Sequence, residues 1–249
     1  MDNKNFNGYS PYNSYEQGSG YMNGVSNAFG QARELFQQKV IANSFLYMFI
    51  ALIISAISAK VASMTVLMWM LQSPMNMIIL CVAELVVVLI ANVALKANNA
   101  ALSAIMLAVY AAINGATIGI ICMAYAEASV AQVFLITALT FGAMAFVGLV
   151  TKKDLSSLGA ILFMALIGIL IASVVNIFVQ SNMLTFGISV LGVFVFVGLT
   201  AYDTQKIKKR CAYSNESNMT CFALAGALEL YLDFINLFLY LLRLLGKRR

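Results

Sequence analysis

The sequence contains no histidine, and only 10% of its residues are charged. The absence of histidine excludes zinc and haem sites built on imidazole ligands. Any response to pH near neutrality therefore has to come from carboxylates or thiols. The low charge also excludes an ordinary soluble domain, in which about 25% of the residues are charged. These two deficits are typical of a membrane protein whose site does not depend on imidazole.

Other chemical signatures are missing as well. The sequence shows no phosphate-binding loop, no nucleophile with a base, and no cofactor fingerprint. An intramembrane aspartyl protease also uses two acids, but its glycine before the second acid is absent around Asp233. The cysteines are scattered without metal-ligand spacing and are interpreted as small buried residues: Cys81, Cys122, Cys211 and Cys221. We therefore predict a protein that is not an enzyme and that holds no cofactor.

Apolar residues, in contrast, are abundant, at 62% of the chain against about 45–50% in soluble proteins. They form runs of about 18 to 25 residues, and such a run crosses a hydrocarbon layer of about 30 Å as a helix. The runs are residues 41–64, 75–96, 100–125, 129–150, 157–179, 183–205 and 222–245. The predicted fold is all-α, a polytopic membrane helical bundle of seven segments.

The N-terminal region has a different composition from the rest of the chain. Residues 1–38 are rich in Asn, Gly, Ser and Tyr, and no apolar run there resembles a cleaved signal peptide. We predict that they form a disordered cytoplasmic tail. Residues 39–249 are predicted to form the seven-segment bundle in the lipid bilayer.

The placement of lysine and arginine predicts the orientation. Basic residues lie in the N-terminal tail and the even-numbered loops, whereas the odd-numbered loops have almost none. The positive-inside rule then places the N-terminus in the cytoplasm. Topology also accounts for the formal net charge of +5, so nothing indicates a nucleic-acid partner.

The seventh segment departs from this pattern. If it crosses the membrane fully, residues 247–249 lie outside, against the rule; if it is re-entrant, they stay inside. The sequence leaves both alternatives open. The segment also contains Glu229, Asp233 and Arg243, charges that are costly against lipid. We therefore place it at the centre of the bundle, surrounded by the other six.

Two strings in the last segments carry a family resemblance. Segment six contains FVGLTAYDTQKIKKR, and segment seven contains ALELYLDFINLFLYLLRLLGKRR. They resemble the signature regions of bacterial members of the transmembrane Bax inhibitor motif family. The resemblance covers the membrane region but not the N-terminal tail. It implies a seven-helix fold with a central last helix, in a multi-pass protein of the bacterial plasma membrane.

The resemblance also implies a function, a calcium leak gated by pH. The gate would be a hydrogen-bonded aspartate pair, which by motif position is Asp203 and Asp233. A glutamate in the second helix and a basic residue in the last are associated with the ion path, which suggests Glu84 and Arg243. The family's arginine late in the second helix has no clear match here, and Lys96 is the nearest basic residue.

The residues support a similar hypothesis on physical grounds. Two carboxylates in a dry bundle cannot both ionise cheaply, so Asp203 and Asp233 would share a proton. Calcium prefers oxygen ligands, and the same pair would bind it transiently as a permeant ion. Glu229 lies one turn before Asp233 on the same face, and it is either part of the ion path or a solvated residue near the cytoplasmic interface. We expect an inward partner for Glu84, and choose Arg243.

Asp203 and Asp233 can form a pair only if they lie at the same depth in the membrane. The two acids meet only if helix six continues to Arg210, or if helix seven begins after Leu224. We expect one or both, with a turn outside the membrane at residues 215–218. An alternative for Asp203 is an ion pair with Lys206 or Lys208 at a helix end.

Two other functions remain open. A proton-coupled transporter would use the same acids to exchange protons for a solute. A regulatory protein would control cell death, stress responses or membrane proteolysis through membrane-protein partners, and would not need the aspartates.

Overall fold

The computed structural model describes residues 11–211 and 218–249. These residues form seven α-helices, α1 to α7 in chain order: Pro11–Gln72, Pro74–Lys96, Ala100–Met123, Glu127–Val150, Ser156–Val179, Asn182–Arg210 and Met219–Leu245. Helices α2 to α7 agree closely with the predicted segments. Six helices contain a described stretch that is long and apolar enough to cross a membrane, all except α2. The predicted all-α membrane bundle is confirmed.

Helix α1 is longer than the first predicted segment. It begins at Pro11 and ends at Gln72, so the predicted boundary at residue 38 is not a helix end, and the disorder of the tail stays a prediction. The helix ends at Gln72 because the next residue, Ser73, precedes a proline, and a residue before proline disfavours the helical conformation. Ser73 is extended, its hydroxyl caps α2, and Pro74 is the first residue of that helix.

Hydrogen bonds between residues in the connections show which helix ends lie on the same side of the bundle. Asn98, after α2, donates to Asn218 Oδ1, before α7, at 2.6 Å. Gln205, near the end of α6, donates to the carbonyl of Lys153, after α4, at 2.8 Å. The ends of α2, α4 and α6 therefore lie on one side, as an alternating seven-helix path requires.

The C-terminus lies on the opposite side. The backbone N–H of Ala126, between α3 and α4, donates to the carbonyl of Lys247 at 2.9 Å, and Arg249 N–H donates to Ala124 O at 3.1 Å. Helix α7 has 27 residues and is about 40 Å long, which exceeds a hydrocarbon layer of about 30 Å. Of the two alternatives for segment seven, the structure therefore has the full crossing.

Helix α7 is the centre of the bundle, as predicted. In its most apolar stretch 67% of the residues are buried, against 11% in α5. It packs against α1, α2, α3, α4 and α6, while α5 packs mainly on the outer side of α6. The expectation that all six helices surround it is therefore met by five. Outward-facing apolar side chains, such as Phe178 and Met183, cover the surface that would meet lipid.

Candidate functional site

The site lies where the ends of α6 and α7 pass each other. Helix α6 continues to Arg210, whereas α7 begins at Met219, before Leu224. The first of the two conditions for bringing Asp203 and Asp233 together is thus met, and the second is not. Both acids are buried, at 9% and 4% exposure, and they interact electrostatically. Of the predicted turn at residues 215–218, only Asn218 belongs to the part of the chain that the structure describes.

A lysine bridges α6 and α7 at this point. The ammonium of Lys206 lies 3.2 Å from Asp203 Oδ1 and 3.0 Å from Glu229 Oε1. Arg210 Nη1 lies 2.9 Å from the same oxygen of Glu229. The pairing of Asp203 with Lys206, left open by the sequence, is thus present. Lys208 instead donates to the carbonyl of Leu149 at 3.0 Å.

Two carboxylate oxygens in this cluster have no hydrogen-bond partner among the described residues. Oδ2 of Asp233 and Oε2 of Glu229 are buried, and neither accepts a hydrogen bond from any described residue. The described part of the chain also shows no hydrogen bond between the carboxylates of Asp203 and Asp233. An unpaired carboxylate oxygen inside a membrane bundle is costly. Such an oxygen is available for a proton or for a cation.

A cavity reaches the cluster from the side of the α6–α7 connection. Its volume is about 430 Å³, and it lies between α2, α6 and α7. Its polar lining consists of Asn92, Lys96, Asn98, Arg210, Asn218 and Glu229. Glu229 therefore stands between the cavity and Asp233, one helical turn deeper. Among the described residues, no group of three acidic or thiol side chains is arranged to hold a resident metal ion.

A second polar cluster surrounds Tyr231, and the sequence analysis missed it. The Tyr231 hydroxyl lies 2.7 Å from Ser55 Oγ of α1 and donates to Asn114 Oδ1 of α3 at 3.1 Å. Ser55 Oγ also lies 2.8 Å from the carbonyl of Ala111. The ring of Tyr110 meets Tyr231 edge to face. The available signal was a tyrosine midway along the helix predicted to be central.

Glu84 does not have the predicted partner. It accepts a hydrogen bond from Thr117 Oγ1 of α3 at 2.7 Å. Arg243 is exposed and lies over the ring of Tyr240, with no ion pair to Glu84 in the described structure. The two differ in depth, because Glu84 lies near the midpoint of α2 and Arg243 in the last turn of α7. The predicted Glu84–Arg243 pair is therefore wrong.

Comparisons with known proteins agree with this architecture. Residues 37–249 match the family model described as "Inhibitor of apoptosis-promoting Bax1". The inner membrane protein YbhL of Escherichia coli is 41% identical over 217 residues, which is 85% of this chain and 93% of that protein. A protein of Borreliella burgdorferi is 39% identical over 219 residues, covering 86% and 94%. A membrane protein of Streptococcus pyogenes serotype M3 is 45% identical over 166 residues, covering 67% and 72%.

The match to the family model includes α2 to α7 and the membrane part of α1. It therefore contains both polar clusters and the whole of the central helix. The chain belongs to the Bax inhibitor family and is an integral, multi-pass membrane protein.

Proposed function

We propose that the protein is a pH-sensitive calcium leak channel in which Asp203 and Asp233 form the proton sensor. The observation that carries the proposal is Asp233, whose buried Oδ2 has no hydrogen-bond partner among the described residues and whose carboxylate interacts electrostatically with that of Asp203. Buried ionisable groups in membrane segments mark ion or proton paths. The resemblance in the last two helices supports the same function.

The expected chemistry is competition between protons and calcium for the same oxygens. When Asp233 carries a proton, it can donate a hydrogen bond to Asp203 and hold α7 against α6. When the proton leaves, two facing carboxylates repel each other and attract a divalent cation. A carboxylate pair thus links proton occupancy to the position of a helix.

The path would begin at the cavity between α2, α6 and α7. Calcium would pass Glu229 and reach the aspartates one turn deeper. Helix α2 is the candidate moving element, because it packs mainly on α3 and contacts α7 along a shorter stretch. A peripheral helix of this kind can shift without dismantling the core around α7.

Sidedness is part of the proposal. The positive-inside rule places the N-terminus and the ends of α2, α4 and α6 in the cytoplasm, so the cavity would open inward. The relative YbhL is named an inner membrane protein, which supports a bacterial plasma membrane.

The test is calcium influx into liposomes containing the purified protein, measured with a trapped dye from mildly acidic to mildly basic pH. We expect a pH-dependent flux that both Asp203→Asn and Asp233→Asn flatten. Asp154→Asn is the matched control, because Asp154 is an exposed acid that pairs with Lys209 away from the aspartates. Flux no greater than in empty liposomes at every pH would refute the channel, and saturable counterflow would favour a proton-coupled transporter.

The family description favours one second function, a regulatory membrane protein, because it refers to inhibition of apoptosis-promoting Bax1. Such a protein would act through partners in the bilayer. In that case, neutralising the two aspartates should leave partner binding unchanged.

A further inference from the structure

We propose that a pocket between the start of α5 and the end of α6 binds the headgroup of an anionic phospholipid. The proposal goes beyond the calcium leak and does not depend on it. An anionic phospholipid combines a negatively charged phosphodiester with long acyl chains. The pocket offers cations to the phosphodiester, and the outer surface of α5 offers apolar side chains to the acyl chains.

The lining of the pocket is strongly basic. The pocket has a volume of about 160 Å³ and is lined by Ser156, Tyr202, Gln205, Lys206, Lys209 and Arg210. Three of these described side chains are cations, and none is an acid. Basic pockets between membrane helices on the cytoplasmic side are a recognised way of binding anionic headgroups. The lining therefore fits a phosphate group.

Both lysines of the pocket keep a donor for a ligand. The ammonium of Lys206 donates to two carboxylates, and that of Lys209 donates to Asp154 and, 3.4 Å away, to Ser156 Oγ. An ammonium has three donors, so each lysine has one left after its contacts with the described residues. The side chain of Asp154 is 69% exposed, and an exposed ion pair contributes little. A phosphate can therefore compete with Asp154 for Lys209.

Positive charge is in excess around the pocket. Residues 151–155 and 203–218 contain six basic and three acidic side chains. The basic ones are Lys152, Lys153, Lys206, Lys208, Lys209 and Arg210. Even if Glu229 and Asp233 of α7 are both counted as ionised, the basic side chains outnumber the acids. The positive-inside rule assigns this side to the cytoplasm, where anionic lipids attract such clusters.

The surface next to the pocket favours a lipid over a free anion. Ser156 begins α5 and Arg210 ends α6, so the pocket lies at the ends of two helices that can cross the membrane. Only 11% of the most apolar stretch of α5 is buried. Leu158 and Ile161, at 38% and 58% exposure, lie within two helical turns of Ser156. A headgroup in the pocket would place its acyl chains along these side chains.

The test is lipid binding to the purified full-length protein in detergent, measured by native mass spectrometry during titration with phosphatidylglycerol. Phosphatidylcholine with the same acyl chains is the comparison lipid, because its headgroup has no net charge. We expect phosphatidylglycerol to bind at least about tenfold more tightly, since each basic side chain strengthens the attraction of an anionic lipid about fivefold. Equal affinities for the two lipids would overturn the proposal.

Lys209→Gln tests the pocket itself. It removes one cation from the lining and should weaken phosphatidylglycerol binding about fivefold. Lys39→Gln is the matched control, because it removes the same charge from an exposed residue of α1, a helix that contributes nothing to the lining. Its affinity should be nearly that of the wild type. Equal losses in the two variants would show that only the overall charge matters, which would overturn the pocket.

Asp154→Asn separates headgroup binding from a folding defect. It removes the acid that competes for Lys209 and keeps every cation, so it should bind phosphatidylglycerol more tightly than the wild type. Weaker binding in both Asp154→Asn and Lys209→Gln would indicate damage to the α5–α6 packing and would overturn the proposal.

Inorganic phosphate distinguishes the two sources of a phosphate group. Added at the same concentration as phosphatidylglycerol, it should not displace the lipid, because it lacks acyl chains to pack on α5. Displacement would assign the pocket to a free anion and overturn the lipid. None of these measurements involves calcium flux, so the headgroup site and the channel succeed or fail separately.

Discussion

The hydroxyl of Tyr231 lies 2.7 Å from Oγ of Ser55, a buried contact that joins the central helix α7 to α1. The same hydroxyl donates to Asn114 of α3, so one side chain connects three helices. Tyr231 is completely buried. A hydrogen-bonded hydroxyl at this position therefore contributes to how α1, α3 and α7 fit together.

Removing that hydroxyl should weaken the bundle. We expect Tyr231→Phe to lower the free energy of unfolding by about 1 kcal/mol, the scale of an interhelical hydrogen bond in a membrane protein. Unfolding in mixed micelles, followed by circular dichroism, measures the change. Tyr240→Phe is the control, because no described residue forms a hydrogen bond with its hydroxyl. Equal losses in the two variants would contradict the assigned role of Tyr231.

Gly115 should tolerate no side chain. A Cβ there would collide with the backbone of Ser55, which lies on the facing helix α1. We expect Gly115→Ala to destabilise the protein by about 1–3 kcal/mol, the usual range for overpacking. Gly168→Ala is the matched control, because a Cβ there meets nothing within 4 Å. Measured melting temperatures should fall for the first variant only, whereas a drop in both would indicate a general loss of helix flexibility.

The C-terminal residues should stabilise the connection between α3 and α4. Truncation after Gly246 removes the backbone bonds of Lys247 and Arg249 to Ala126 and Ala124. We expect faster amide hydrogen exchange at residues 124–129, with little change in the centre of α7. Arg249→Ala removes only the exposed ion pair with Glu127 and should leave exchange nearly unchanged. Unchanged exchange after truncation would show that the C-terminal pairing is absent in the membrane.

The two ends of α7 should be accessible from opposite sides. In a variant lacking the four native cysteines, Lys247→Cys should react with a membrane-impermeant maleimide added outside intact cells. Lys208→Cys, at the end of α6 and therefore on the side where α7 begins, should react only after permeabilisation. The opposite pattern would invert the proposed orientation, and labelling of both from one side would contradict the full crossing of α7.

The ion pair between Asp154 and Lys209 should matter only above acidic pH. Lys209 and Ser156 lower the pKa of Asp154 from its ordinary value. A lowered folded-state pKa gives stability that is present above the unfolded pKa and is lost as the pH falls through the folded value. Asp154→Asn should therefore lower the melting temperature slightly at neutral pH and leave it unchanged in strong acid. High salt should remove the neutral-pH difference, because the pair is exposed.

Much of this fold follows from local properties of the chain. Run length and hydropathy predict α2 to α7 because each crossing helix satisfies its own backbone and meets lipid independently. The acids Glu229 and Asp233 correctly place α7 at the centre, since charged side chains cannot face hydrocarbon. The strings around Asp203 and Asp233 are sufficient to indicate the family.

What the sequence did not predict correctly is which side chains on different helices lie at the same depth and contact each other. Glu84 pairs with Thr117 and not with Arg243, because a partner must lie at the same depth and on the facing side. The sequence lists charges but not their rotation about each helix. For the same reason it left open whether Asp203 pairs with Lys206, and it did not indicate that Lys206 also reaches Glu229.

By itself, the sequence determined that this is an all-α membrane bundle with a charged central helix, because length, hydropathy and charge act within each segment. The tertiary structure decided that α7 crosses fully, that its end pairs with the α3–α4 connection, and that Lys206 bridges Asp203 of α6 and Glu229 of α7. Those outcomes depend on how helices rotate and slide against one another. Only packing in three dimensions sets that arrangement.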